Sequence, residues 1–174
     1  MRSPYAPLMP RHLQPVGPEF FEVAPYRAVR TASVAAPLAA VFAALADDPA
    51  GWGDWFPGFT RTGRYLTDPP HGVGAERAMR LGGVDLVETV IVREEPTRWA
   101  FRVSQGSMPL VRAMAEDYRL AETPTGTSLT WTLALDVTGP TLPTGAVVGT
   151  LAGTLVRVAA RRLERRLQEA GRLT

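Results

Sequence analysis

The fold is decided by the stretch AERAMRLGGVDLVETVIVREEPTRWAFRVS (residues 75–104), because its turns set the pairing of three consecutive strands. Apolar and polar residues alternate on both sides of Gly82-Gly83, and two glycines between such runs are typical of a two-residue hairpin turn. A turn of fixed length also fixes the register of the strands that it joins. The predicted cross-strand pairs are Leu81 with Val84, Met79 with Leu86, and Arg77 with Glu88.

Two later turns extend this pattern along the chain. Residues 94–97 (EEPT) and residues 123–126 (TPTG) each predict a four-residue loop. Both hairpins, like the first, place their apolar residues on one side, which a wrong register would scramble. We therefore predict a continuous antiparallel sheet with one apolar face. The predicted pairs are Val92 with Trp99, Val90 with Phe101, Leu120 with Leu129, Tyr118 with Trp131, and Glu116 with Leu133.

The flanking segments supply the remaining elements. Alternation predicts a first strand over Tyr26–Val34, and Pro37 opens a short helix over Leu38–Ala46. Glycine, proline and four aromatic residues at 51–59 predict a compact loop or a single turn. A helical pattern runs from about Thr144 to Ala170. Period-two runs predict the other strands at about 60–67, 75–81, 84–93, 98–104, 112–122 and 127–137.

The C-terminal helix is the long amphipathic element that can cover the apolar face of the sheet. Its first half carries Gly145, Gly149 and Gly153, each costing about 1 kcal/mol relative to alanine inside a helix. Close helix–sheet packing explains these glycines, and so does room for a ligand between helix and sheet. The uncharged run is too short to span a membrane. The predicted inner stripe is Val148, Ala152, Leu155, Ala159, Leu163 and Leu167.

Composition excludes several functional classes. The 174 residues are 45% hydrophobic and 21% charged, as in an ordinary globular domain. Cysteine and lysine are absent, which excludes thiolate nucleophiles, disulfides, Schiff-base chemistry and a Walker-type phosphate loop. His12 and His71 are the two histidines, so a multi-histidine metal site is not expected. The net charge is +2, and the arginines between 157 and 166 read as a solvated helix face, so no nucleic-acid partner is expected.

Residues 1–24 contain five prolines and read as a Pro-rich N-terminal arm, extended or disordered, ahead of one domain at 25–174. Phe20, Phe21 and Val23 are available to dock on the domain or on a neighbouring subunit, so a homodimer stays open. The arm lacks the apolar run of a secretory signal, and no segment is long enough to span a membrane. We expect a cytoplasmic protein.

The order of several short motifs resembles the START-like helix-grip fold of the SRPBCC superfamily, in particular its polyketide cyclase/dehydrase and lipid-transport type. The resemblance covers about residues 26–170 and implies an α+β fold: a curved antiparallel sheet of about six to seven strands around a long C-terminal helix, with two short helices after the first strand. It also implies a deep hydrophobic cavity for a lipid, a polyketide or a similar molecule. We expect no cofactor. The motifs are APL (36–38), VFAALAD (41–47), Trp52, WFP (55–57), VETV (87–90), PTRW (96–99) and GTSLTW (126–131).

Polar residues on the predicted inner face are the candidates for chemistry. Arg77 opposite Glu88 reads either as a structural ion pair near the rim or as an anchor for a ligand oxygen. Burial would raise the pKa of Glu116 and allow proton exchange at neutral pH, unless the residue lies in water at the cavity mouth. Trp52, Trp55 and Phe59 either cap the core or form a lid. The predicted ligand-binding set is Arg77, Met79, Glu88, Val90, Trp99, Phe101, Met114, Glu116, Tyr118, Trp131, Leu133, Gly149, Ala152 and Gly153.

Three functional hypotheses follow. The leading one is binding of a small hydrophobic molecule in an internal cavity between the sheet and the C-terminal helix, without catalysis. The alternative is an aromatase/cyclase-type cyclisation and dehydration of a polyketide, with Glu116 as acid/base, Tyr118 as proton donor and Arg77 stabilising an enolate oxygen. The third is an interaction protein that docks a partner through its arm or its arginine-rich helix end.

Overall fold

A computed structural model describes residues 10–138 and 145–172, and describes side chains in the C-terminal helix from Ala152 onward. One antiparallel sheet and one long helix dominate the described chain. The elements are β1 (Arg11–His12), α1 (Phe20–Val23), β2 (Tyr26–Val34), α2 (Leu38–Ala46), α3 (Trp52–Trp55), β3 (Arg64–Tyr65), β4 (Glu76–Leu81), β5 (Val84–Glu94), β6 (Arg98–Gly106), β7 (Val111–Thr123), β8 (Gly126–Val137) and α4 (Gly145–Gly171).

The strands form one eight-stranded sheet in the order β2-β8-β7-β6-β5-β4-β3, with β1 paired to β6. The α+β helix-grip architecture is confirmed, including the two short helices after β2. The registers predicted at Gly82-Gly83 and at residues 123–126 are also confirmed: Arg77 pairs with Glu88, and Tyr118 pairs with Trp131. Both glycines of the first turn have positive φ, 54° and 84°, which a side chain would oppose.

Two local predictions are wrong. Val92 pairs with Ala100 instead of Trp99, because a bulge between Val90 and Val92 shifts the register by one residue. Trp99 pairs with Arg93, and the pair Glu94–Arg98 leaves a three-residue loop instead of the predicted four. The strand predicted at 60–67 shortens to Arg64–Tyr65, since Thr60 and Gly63 lie in the connecting segment.

Helix α4 packs its buried side chains against the concave face of the sheet and against α3. Leu163 is fully buried, and the predicted stripe residues Leu155 and Leu167 are half-buried, while the side chain of Val148 lies outside the described residues. Gly153 makes a close approach to β2, where an added Cβ would lie 3.1 Å from Nε of Arg30. At this glycine, the model shows close packing between helix and sheet. The buried residues of α4 are Ala152, Val156, Ala159, Ala160 and Leu163.

The described part of the N-terminal arm is folded onto the sheet. Beyond Arg102, where β6 and β7 stop pairing, the arm enters between them: Leu13 N–H donates to Ser104 O at 3.0 Å, and Gln14 N–H donates to Arg112 O at 2.8 Å. The Leu13 side chain joins the main core, whereas Phe20 and Phe21 are buried in a second cluster on the opposite face of the sheet. Arg11 and His12 are extended, one of the two conformations expected for the arm, and Phe20 and Phe21 dock on the domain, one of the two contacts that the sequence allowed for them. Val23 remains 71% exposed.

Candidate functional site

An aromatic cluster fills the deep end of the interior, between α3 and the sheet. Trp52 and Trp55 on α3 lie with ring centroids 4.7 Å apart, and both side chains are buried. Trp52 also contacts Trp99 and Tyr118 on the sheet, with centroid distances of 6.1 and 5.8 Å. Trp52, Trp55 and Phe59, which the sequence suggested as cap or lid, thus lie over the core and pack into it.

Arg77 and Glu88 form an ion pair inside this cluster. Arg77 Nε donates to Glu88 Oε2 at 2.5 Å, and Arg77 Nη1 donates to the carbonyl oxygen of Leu45 at 3.1 Å. The guanidinium lies 4.3 Å from the ring centroid of Trp99 and 4.6 Å from that of Trp52, so cation–π contacts add to the ion pair. Both side chains are at most 1% exposed, so the interpretation of a pair near the rim is wrong. Burial raises the pKa of Glu88, and the positive charge of Arg77 opposes that rise.

Glu116 is a second buried carboxyl, on β7, two strands away from Glu88 on β5. Its Oε2 accepts a hydrogen bond from the Tyr118 hydroxyl at 2.5 Å and another from the Trp131 indole N–H at 2.8 Å. Burial raises the pKa of Glu116 to about 7, and the negative charge of Glu88 contributes to the rise. The two hydrogen bonds and the charge of Arg77 oppose it. Glu116 is 6% exposed, so the alternative of a carboxyl in water at the mouth is wrong.

Tyr118 is held in its neutral form. Burial raises the pKa of its hydroxyl well above the ordinary value, and the nearby charge of Glu116 and the hydrogen bond to it raise the pKa further. The hydroxyl therefore acts as a hydrogen-bond donor toward the carboxyl. Its proton stays in place while Glu116 gains or loses one near neutral pH.

An apolar groove of about 510 Å³ lies between β8 and α4. Trp131 and Leu133 form its sheet wall, and both adjoin Glu116: Trp131 through its hydrogen bond, and Leu133 as the direct cross-strand partner. Leu155 and Val158 form much of its helix wall. Among the side chains that the structure describes, the lining residues are Pro57, Trp131, Leu133, Ala152, Thr154, Leu155, Val158 and Arg162.

The predicted site residues divide between this groove and the closed core. Trp131, Leu133 and Ala152 line the groove, and Glu116 with Tyr118 lies directly behind Trp131. Met114 is half-buried against the main core. Gly149 lies in the part of α4 before Ala152, where the surroundings of the residues are not described. The other residues of the predicted ligand-binding set lie in the core, except for Gly153, which lies at the contact between α4 and β2. The fully buried group is Arg77, Met79, Glu88, Val90, Trp99 and Phe101.

Sequence reasoning missed four groove-lining residues: Pro57, Thr154, Val158 and Arg162. It placed Leu155 on the inner stripe of the helix but not in the ligand-binding set. Val158 and Arg162 lie three and seven positions after Leu155, a spacing that places them on one side of a helix. This spacing was the available signal, but the predicted inner stripe follows the neighbouring line through Ala159 and Leu163. Pro57 had no signal beyond its place in the aromatic loop.

Within residues 10–138 and 145–172, no three histidine or carboxylate side chains are grouped closely enough to hold a metal ion. In the same part of the chain, no helix combines the length and the apolar character needed to cross a membrane.

The curved sheet, the long C-terminal helix packed against it and the two short helices after β2 define the START-like helix-grip class of proteins. The model resembles a START superfamily protein from Mycobacterium smegmatis with a TM-score of 0.67 and 20% identity, covering 83% of this chain and 99% of that one. More narrowly, the chain belongs to the family described as polyketide cyclase / dehydrase and lipid transport, whose model matches residues 26–169.

The chain is also similar to individual proteins. Uncharacterized proteins of Mycobacterium tuberculosis and Mycobacterium bovis are 36% identical over 151 residues, which is 86% of this chain and 89% of theirs. The structure of DynU16, a protein in the dynemicin biosynthetic locus, has a TM-score of 0.57 and 26% identity. The match covers 82% of this chain and 47% of DynU16, so this chain spans about half the length of that protein.

Proposed function

We propose that this protein binds a small hydrophobic molecule in the groove between β8 and α4. The observation that carries the proposal is the groove itself, an apolar space of about 510 Å³, which is within the size range of small-molecule sites. Most of its described lining residues lie on β8 and α4, and Pro57 lies in the segment that follows α3. Membership of a family that includes lipid-transport proteins supports the same conclusion.

A polar group next to the groove gives the ligand an orientation. Glu116 adjoins both sheet-wall residues, and at a pH below its pKa it carries a proton that a ligand carbonyl or hydroxyl can use. A largely apolar pocket with a few polar groups is typical of a site that selects by shape and fixes one end of the ligand.

Fluorescence of N-phenyl-1-naphthylamine, a neutral apolar probe, tests this proposal. The wild-type protein should increase the probe's emission with saturation, and fatty acids or aromatic polyketides should displace it. Leu155→Trp should fill the groove and weaken probe binding at least about tenfold, the equivalent of 1.4 kcal/mol. Gln168→Trp adds the same ring at an exposed position of α4 outside the groove and serves as the matched control.

Circular dichroism and thermal unfolding establish that both variants remain folded. Absence of probe binding by the wild-type protein would contradict the proposal, and so would equal binding by the two variants. Native mass spectrometry of the purified protein gives an independent readout, because a retained ligand adds its own mass to that of the chain.

A second function, cyclisation of a poly-β-ketone, is favoured by the position of Glu116: it is a buried carboxyl beside the groove, and burial raises its pKa to about 7, which suits a general acid/base. The Glu116 carboxylate would remove a proton from the carbon between two carbonyls, and that carbon would attack a second carbonyl carbon of the same chain. The oxygen formed there would take the proton back, giving an aldol that then loses water. Arg77 does not adjoin the groove, whereas Glu116 is hydrogen-bonded to the groove-lining Trp131 and to Tyr118, so we assign the acting groups as Glu116 and Tyr118.

A synthetic poly-β-ketothioester, followed by absorbance of the aromatic product, tests the second function. Glu116→Gln keeps a hydrogen-bond acceptor for Tyr118 and Trp131 but cannot exchange the proton, so turnover should fall by about 100-fold or more. Glu122→Gln, an exposed change on the same strand, is the control. Equal turnover in these two variants would exclude Glu116 as the acid/base.

A further inference from the structure

One face of α4 changes from apolar to basic as it leaves the groove. Leu155, Val158, Arg162 and Arg165 follow one another at spacings of three, four and three residues, so they form a single line along the helix. Leu155 and Val158 line the groove, and Arg165 lines a second pocket of about 320 Å³. Arg162 lines both, which makes the two spaces neighbours.

The second pocket carries a net positive charge. Four arginines and two carboxylates line it, and Asp54 is already paired with Arg61 and with Arg166. Arg166 also pairs with Asp48 at 2.5 Å. The other carboxylate, Glu169, forms no ion pair with Arg165 within 4.0 Å in the described part of the chain.

Arg162 and Arg165 are the two cations of this pocket that lack a carboxylate partner among the described side chains. Both are exposed at the end of the apolar groove. A guanidinium presents paired N–H donors that match the oxygens of a carboxylate or a phosphate, and such charge-assisted hydrogen bonds are about twice as strong as neutral ones. The pair therefore offers donors to an anion, next to a space that offers apolar contact.

We propose that the ligand is an amphipathic anion, with its apolar part in the groove and its carboxylate or phosphate head between Arg162 and Arg165. This inference rests on the function proposed for the groove and narrows it to one ligand class. The rise of a helix places Arg162 about 10 Å along α4 from Leu155, so the apolar part has about that length before the head begins.

Three ten-carbon compounds that differ at the head test the inference: decanoate, 1-decanol and decyltrimethylammonium. Each is titrated against the bound naphthylamine probe at pH 8. For the wild-type protein, decanoate should displace the probe at about a tenfold lower concentration than 1-decanol, and the cation should be weakest. Raising the salt concentration from 0.05 to 0.5 M should reduce that preference, because ions screen exposed charges.

Arg162→Gln combined with Arg165→Gln should bring the decanoate-to-decanol ratio close to one. Arg161→Gln, an exposed change outside both pockets, should keep the wild-type ratio and is the matched control. Each variant's own affinity for 1-decanol is its internal reference, so a general loss of binding does not imitate the effect.

The outcomes separate the two proposals. If neither decanoate nor 1-decanol displaces the probe, or the probe does not bind, the function proposed for the groove fails. If both displace it equally from the wild-type protein, the groove stands and the inference about an anionic head is wrong. Inorganic phosphate alone should not displace the probe. A free-anion site would be indicated instead by a different set of results: phosphate binds saturably to the wild-type protein, the double variant loses that binding, and decanoate displaces the probe no better than 1-decanol does.

Discussion

Trp131 donates a hydrogen bond of 2.8 Å from its indole nitrogen to Oε2 of Glu116. The same indole forms part of the sheet wall of the groove, so one side chain contacts both the apolar space and the buried carboxyl. A ligand that moves the Trp131 ring therefore changes the hydrogen bonding of Glu116. This relationship connects occupation of the groove to a proton equilibrium near neutral pH.

Glu116→Gln should remove a pH dependence of stability. The pKa of Glu116 rises from 4.5 to about 7 on folding, so folding favours its protonated form. The stabilisation that follows from this preference is fully present below pH 4.5 and is lost as the pH rises through 7. Over that range its contribution to the free energy of unfolding falls by about 3 kcal/mol. Urea unfolding at pH 5 and pH 8 should therefore show wild-type stability falling relative to Glu116→Gln. A pH-independent difference between the two proteins would contradict this assignment, and Glu122→Gln should track the wild type.

Tyr118→Phe should raise the pKa of Glu116 further. The hydroxyl of Tyr118 donates to the carboxylate form at 2.5 Å, and this hydrogen bond lowers the pKa of Glu116. Carbon-13 NMR titration of labelled glutamate carboxyls measures the change directly. Tyr65→Phe removes a hydroxyl that donates to Ala46 instead, so it should leave the Glu116 titration in place. A lower pKa in Tyr118→Phe would contradict the geometry.

Arg77→Met should destabilise the protein by about 3–5 kcal/mol, because it leaves the Glu88 carboxylate buried without its partner. Arg80→Met removes the neighbouring pair with Asp85, whose side chains are 48% and 64% exposed, and should cost less than about 1 kcal/mol. Urea unfolding of the two variants compares a buried with an exposed ion pair on the same two strands. Replacing Glu88 by Leu in the Arg77→Met background should recover much of the loss.

Phe21→Ala should destabilise the protein by about 3 kcal/mol, because the ring is 3% exposed and its removal leaves a cavity on the outer face of the sheet. Val23→Ala, two residues later and 71% exposed, should change the free energy of unfolding by less than about 0.5 kcal/mol. Thermal unfolding measures both. Equal effects would mean that the arm does not hold this position in solution.

Turn chemistry explains how much of the fold could be predicted. Gly82-Gly83 and the turn at 123–126 fix the registers of their hairpins, and these registers place Arg77 opposite Glu88 and Tyr118 opposite Trp131. The bulge after Val90 could not be predicted, because a single extra residue leaves the apolar alternation on both sides intact. Because Val92 is apolar, the sequence is compatible with it on either face of the sheet. Its position on the outer face depends on Phe20 and Phe21, which cover it there.

The candidate site was predictable only in part, for a related reason. Inward orientation follows from sheet register, so Glu116 and Tyr118 could be placed on the inner face. Whether an inward side chain meets a groove or packed neighbours depends on how α3 and α4 fill the space. Trp52 on α3 covers Trp99 and Phe101, which closes that end of the interior, while the groove remains between Trp131 and Leu155. The residue pattern of a single strand therefore does not predict which inward side chains meet the groove and which meet packed neighbours.

The strand at Arg11–His12 has a practical consequence. The family model begins at residue 26, yet Leu13 and Gln14 satisfy backbone groups of β6 and β7 that a chain trimmed to that boundary would leave open. Open strand edges of this kind invite association between copies. We therefore expect a chain trimmed to residue 26 to be less stable than the full chain and more prone to self-association.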